Sequence, residues 1–89
     1  MKMLPTKVIE VEGEGLITFL DQKVTFFTPT FIFTGKLVGV NDTCVKLENP
    51  AIVYETGAFS DKKYKDEQSL CVPFLYLQIG MIITFFASK

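Results

Sequence analysis

The chain contains no histidine, no arginine and no tryptophan, and all nine of its basic residues are lysine. Without histidine the usual general base is missing, as are Cys-His and Ser-His-Asp arrangements and most zinc sites. Without arginine there is no bidentate clamp for phosphate, carboxylate or guanine. Net charge is also small, 9 basic against 10 acidic residues giving −1, whereas a strong duplex-DNA binder normally shows a basic excess. Glu10, Glu12 and Glu14 alternate onto one side of a strand, so a histidine-free hydrolase built on carboxylate pairs is conceivable, but nothing sets them in a cleft. No catalytic residue, metal site or cofactor is expected. The chain reads as a non-enzyme.

Cysteine is nearly absent too. Cys44 and Cys71 stand 27 residues apart inside apolar runs, which makes neither a CxxC motif nor a disulfide scaffold. Both are expected to be buried, reduced thiols that pack as small hydrophobes. The first residues, Met1 to Pro5, carry no apolar stretch of signal-peptide length before Glu10 and Glu12, so a cytoplasmic protein is expected.

What is present is sheet-forming material. Val, Ile, Thr, Phe and Tyr supply 36 of 89 residues, against three alanines. β-Branched and aromatic side chains suit a pleated surface, while alanine is the best helix former. Eighty-nine residues make one domain, and a domain of this size buries only roughly 60–65% of its unfolded surface.

Lys7–Glu12 alternates as a short edge-like strand, broken at Gly13-Glu14-Gly15. Residues 16–20 are ambiguous between strand and one or two helical turns. Lys23–Thr28 reads as a strand, turned at Thr28-Pro29-Thr30 into Phe31–Val40, where Gly35 and Gly39 permit sharp bending. Asn41-Asp42 marks a hairpin turn into Thr43–Leu47. Glu48-Asn49-Pro50 would interrupt a central strand unless it forms an edge or bulge, and Ala51–Tyr54 continues the extended run. Residues 55–69 form a polar loop or the tips of a long hairpin. Within it, Lys62-Lys63-Tyr64-Lys65 sets a ring among three ammonium groups, a pattern that single-stranded nucleic acid can use. Asp61, Asp66 and Glu67 offset those charges locally, as in an ordinary solvated loop.

Residues 69–88 include no charge at all. As a helix this run would be about 30 Å long, enough to cross a bilayer. Pro73, Gln78 and Gly80 count against that reading. Two strands, about 70–77 and 81–86, joined at Gln78-Ile79-Gly80, account for all three, and no membrane association is expected. Leu75, Leu77, Ile82, Ile83, Phe85 and Phe86 then occupy both faces of these strands. Leaving half of them exposed costs several kcal/mol at roughly 25 cal/mol per Å² and invites edge pairing. A partner subunit would cover them.

Gly35-Lys36-Leu37-Val38-Gly39-Val40-Asn41-Asp42 resembles the first Sm motif, Gly-x-Leu-x-Gly-aromatic-Asp. Thr43–Asn49 has the spacing of the strand that follows it, and Tyr76-Leu77-Gln78-Ile79-Gly80 resembles the second motif, apolar-apolar-Ile-Arg-Gly. On these residues the chain resembles the Sm/LSm family, including its Hfq branch, over about residues 23–86. A generic SH3-like or OB-type barrel shares much of the pattern. The fold class is all-β: a small, five-stranded, strongly bent antiparallel sheet or partly open barrel. Residues 1–22 form an N-terminal segment with room for a short helix or an extra strand.

The resemblance implies a homo-oligomeric ring of roughly five to seven subunits, with strand 70–77 of one copy against strand 81–86 of the next. It also implies single-stranded, often uridine-rich RNA at the inner rim, and single-stranded RNA or DNA is the expected partner. Carried onto this chain, the rim is Asn41-Asp42-Thr43 and Gln78-Ile79-Gly80. The chain departs from the family at several of these positions. Asn41 holds the motif's acidic position, and Val45 stands, in an ungapped register, where the base-reading asparagine is expected. Ile79 replaces the arginine that flanks the base, and Tyr54-Glu55-Thr56 replaces Tyr-Lys-His. The expected nucleic-acid contacts are therefore Asn41, Asp42, Thr43 and Gln78, with the Lys62, Lys63, Tyr64 and Lys65 loop. The competing expectation is a structural or protein-interaction β-barrel with no nucleic-acid ligand.

Overall fold

A computed structural model describes residues 15–89; the expected strand at Lys7–Glu12 and the three alternating glutamates lie outside them. Strand accounts for 52% of the described residues, in one antiparallel sheet that does not close. The strands are β1 (Lys23–Phe27), β2 (Ile32–Val40), β3 (Cys44–Glu55), β4 (Asp66–Ser69), β5 (Phe74–Gln78) and β6 (Thr84–Ala87). Short 3-10 turns precede β1, at Leu16–Phe19, and link β5 to β6, at Ile79–Met81. The first settles the ambiguous 16–20 segment in favour of a single tight helical turn.

Alternation along each strand builds the core. Val24 and Phe26 of β1, Leu37 of β2, Val45 and Leu47 of β3, and Leu77 of β5 form one buried cluster, with Phe85 of β6 packed against it. The Phe85 ring meets Phe19 edge-on at 6.2 Å. Strands from both ends of the sheet thus curl around the same apolar centre. Each fully buried large side chain contributes about 1.5–3 kcal/mol.

The turns follow their residue chemistry. Between β1 and β2, the Thr28 hydroxyl donates to the Phe31 carbonyl at 2.7 Å, with Pro29 at the corner, where its fixed φ suits a turn. Between β2 and β3, Asn41 Oδ1 accepts the backbone N–H groups of Thr43 and Cys44, both at 2.8 Å. That is an Asx turn.

Pro50 does not end β3. Thr34 pairs with Ala51 and Lys36 with Glu48, so β3 carries one residue more than β2 opposite Gly35. Asn49 takes up the bulge at φ +51°, a left-handed conformation that asparagine tolerates better than most residues. On the other side of β3 the Asn49 N–H donates to the Pro73 carbonyl at 3.1 Å, and the Leu70 N–H to the Pro50 carbonyl at 3.0 Å. The neighbouring strand is interrupted at the same level. Its two pieces are β4, paired with the Ala51–Glu55 half of β3, and β5, paired with the Cys44–Glu48 half. Six strands replace the five expected: of the expected 70–77 strand only Phe74–Gln78 is extended, as β5, because Leu70–Pro73 forms a detour, and Asp66–Ser69, expected as loop, adds β4.

The sheet order is β4-β3-β2-β1-β6, with β5 also on β3. One edge is therefore β4 and β5, and the other is β6. Cys71 corrects the expectation of two buried thiols: it sits on the detour at φ +58° and is exposed, while Cys44 is half-buried. The uncharged 69–88 run forms strand, 3-10 turn and strand. Among the described residues no helix is long and apolar enough to cross a membrane.

Candidate functional site

The strand alternation brings the two presumed rim segments together at one end of β3. Cys44 pairs with Gln78 across the β3–β5 ladder, and the Ile79 N–H donates to the Thr43 carbonyl at 2.8 Å. The β2–β3 turn and the second 3-10 turn are thus clamped side by side. Between them lies an open cleft of about 660 Å³, walled by Asp42, Thr43 and Cys44 on one side and Tyr76, Gln78, Ile79 and Gly80 on the other.

Three of the residues expected from sequence, Asp42, Thr43 and Gln78, line this cleft. Asn41 does not; its side chain is turned into its own loop, where it also accepts the Thr43 hydroxyl at 3.0 Å. It holds the rim in shape. Val45, the position set against a base-reading asparagine, is fully buried in the core. The outward positions of that strand are its neighbours, Cys44 and Lys46.

The lysine loop lies elsewhere. Residues 56–65 connect the far end of β3 to β4, so Lys62, Lys63 and Lys65 stand at the opposite end of the strand from the cleft. All three are exposed, and Lys65 pairs with Glu55 at 3.6 Å. Tyr64 does not offer a stacking face. It is only 6% exposed, and its hydroxyl lies 2.6 Å from the buried Thr25 hydroxyl. Thr25 in turn donates to Ser88 at 2.8 Å, which assigns the first bond's proton to Tyr64. The Lys89 ammonium covers the ring at 4.6 Å. Nearby, Glu67 is held by Lys23 at 3.0 Å and by the buried Thr34 hydroxyl. This polar network fastens the loop and the last residues to the sheet.

Three residues that were not among the expected contacts stand at the cleft, Tyr76 in its wall and Phe74 and Lys46 beside it. Phe74 and Tyr76 are 42% and 61% exposed, and Lys46 reaches across from β3. The Lys46 ammonium is 4.1 Å from the Phe74 ring centroid and 5.8 Å from that of Tyr76. The signal for them was the alternation Phe74-Leu75-Tyr76-Leu77-Gln78: with both leucines inward, the two rings and the amide must face out. Exposed aromatic rings beside a lysine can stack a base and neutralise a phosphate. No family model matches the chain, and neither does any curated protein or solved structure.

Proposed function

We propose that the chain is a non-catalytic, Sm-like subunit that assembles into a closed homo-oligomeric ring and binds single-stranded nucleic acid, in RNA or DNA processing. The observation that carries this reading is the pair of sheet edges that have no strand partner among the described residues, β5 on one side and β6 on the other. Edges of this kind pair with other strands unless they are covered. Joining β5 of one copy to β6 of the next satisfies both, and a repeated rotation closes a ring. Ile83, 68% exposed just before β6, would be covered in such a junction. The motif resemblance over Gly35–Asp42 and Tyr76–Gly80 points to the same arrangement, and two free thiols suit the reducing cytoplasm.

Symmetry would repeat the cleft around the ring. One shallow cleft on a near-neutral chain binds weakly, but several copies along one strand act together. The test is fluorescence anisotropy with labelled single strands and a duplex, each at two salt concentrations. Single strands are expected to bind, more weakly as salt rises, and the duplex less well. Lys46→Ala, which removes the lysine beside the cleft, should show a shallower salt dependence than the wild type, whereas Lys62/Lys63/Lys65→Ala, at the far end of β3, should keep it. No binding of any strand at low salt would leave the alternative, a structural assembly component without a nucleic-acid ligand.

A further inference from the structure

The hydrogen-bonding groups of the cleft are unequal in kind. Asp42 contributes an exposed carboxylate, which only accepts hydrogen bonds, and no ion pair occupies it among the described residues. The Thr43 hydroxyl spends its proton on Asn41 Oδ1 at 3.0 Å, so towards a ligand it too has only lone pairs. The Thr43 N–H is likewise committed to Asn41, at 2.8 Å. Gln78 offers amide donors and an acceptor, the Tyr76 hydroxyl one donor and the Cys44 thiol a weak one. The Tyr76 ring, largely exposed, lines the same cleft, with the Lys46 ammonium 5.8 Å from its centroid.

Asp42 is the one charged residue of the wall, so a flat ligand lying on Tyr76 meets there a carboxylate that can only accept. Uracil and thymine present two carbonyl acceptors and a single N–H in that plane. Cytosine and adenine present an exocyclic amino group, and a carboxylate is a suitable acceptor for the cytosine N4 amine. We propose that the cleft binds one nucleotide of a strand at a time, stacked on Tyr76, with its phosphate near Lys46. It favours bases bearing an exocyclic amino group over uracil and thymine through Asp42. This rests on the single-strand reading above and specifies which bases satisfy it.

Labelled hexamers of C, A and U, with CMP, AMP and UMP as competitors, test the proposal by anisotropy at one low salt concentration. C or A hexamers should bind about five- to tenfold more tightly than U, the scale of one ordinary net hydrogen bond, since the carboxylate is exposed to water. Asp42→Asn, which adds donors, should bring the C:U ratio close to one even if removing the charge raises every affinity. Tyr76→Ala should weaken all strands about tenfold, whereas Tyr76→Phe should bind as the wild type does. The thermal midpoint of each variant verifies that it is folded. The same preference among mononucleotides without strand binding would support the recognition chemistry and identify a free nucleotide as its source. Equal or tighter binding of U, or an unchanged ratio in a folded Asp42→Asn, overturns the proposal while leaving strand binding intact. Failure of every probe to bind overturns both.

Discussion

Tyr64 and Gly35 show how much a single residue's surroundings decide its role. In the run Lys62-Lys63-Tyr64-Lys65 the ring is indistinguishable from an exposed stacking residue, because its partners are distant in sequence. Thr25 lies 39 residues away, and nothing local announces the contact. Replacing Tyr64 by Phe keeps the packing and removes the bond to Thr25, at a cost of about 1 kcal/mol. For a domain of this size the melting temperature should fall by about 4–8 °C, measured by circular dichroism. An unchanged midpoint would mean that the loop is not anchored through that hydroxyl. Gly35 is constrained differently. A Cβ built there would sit 2.9 Å from the Leu47 Cβ, whereas at Gly39 the nearest atom, Lys46 Cβ, is 3.5 Å away. Gly35→Ala should therefore destabilise the protein by about 1–3 kcal/mol through overpacking. Gly39→Ala makes ordinary contacts and should leave the urea midpoint nearly unchanged. Equal effects would contradict the close approach of Gly35 to Leu47.

At the scale of elements, the strands and the turns at Thr28-Pro29 and Asn41-Asp42 were legible because alternation and turn chemistry are local. The 69–88 run was also legible, since Pro73, Gln78 and Gly80 each disfavour one long helix. The Leu70–Pro73 detour was not. It depends on the Asn49-Pro50 bulge in β3 reaching across to Leu70 and Pro73, a coupling between elements that no single segment displays. Nor was β4, since Asp66–Ser69 is polar throughout and becomes strand only because β3 offers it a partner. Of the candidate site, the meeting of residues 42–43 with 78–80 was anticipated, and its aromatic wall was not. The segment just before β6, the sheet's second edge, yields a sharp prediction. Ile83 is exposed, whereas Phe85 packs on the subunit's own core. Ile83→Asp should dissociate the assembly and leave a folded chain, because a charge buried unpaired at an interface costs about 3–5 kcal/mol. Phe85→Asp should lower the melting temperature as well. Dissociation would be seen by light scattering and folding by circular dichroism; an intact assembly carrying Ile83→Asp would remove that side chain from the interface.

For the whole molecule, the unclosed sheet is the feature with the widest consequences. Its curvature already wraps β5 and β6 around one core, yet each keeps one side without a strand partner among the described residues. A small domain with a limited core gains from covering such edges with copies of itself. The proposed ring would also let a chain of net charge −1 hold a polyanion, by repetition of a local contact in place of a global field. The most direct test of this account is the mass of the purified protein in detergent-free buffer, by light scattering across a concentration series. The account predicts one defined, concentration-independent species of roughly five to seven subunits. A monomer of 10.0 kDa at every concentration would contradict it, as would an open-ended series of growing oligomers.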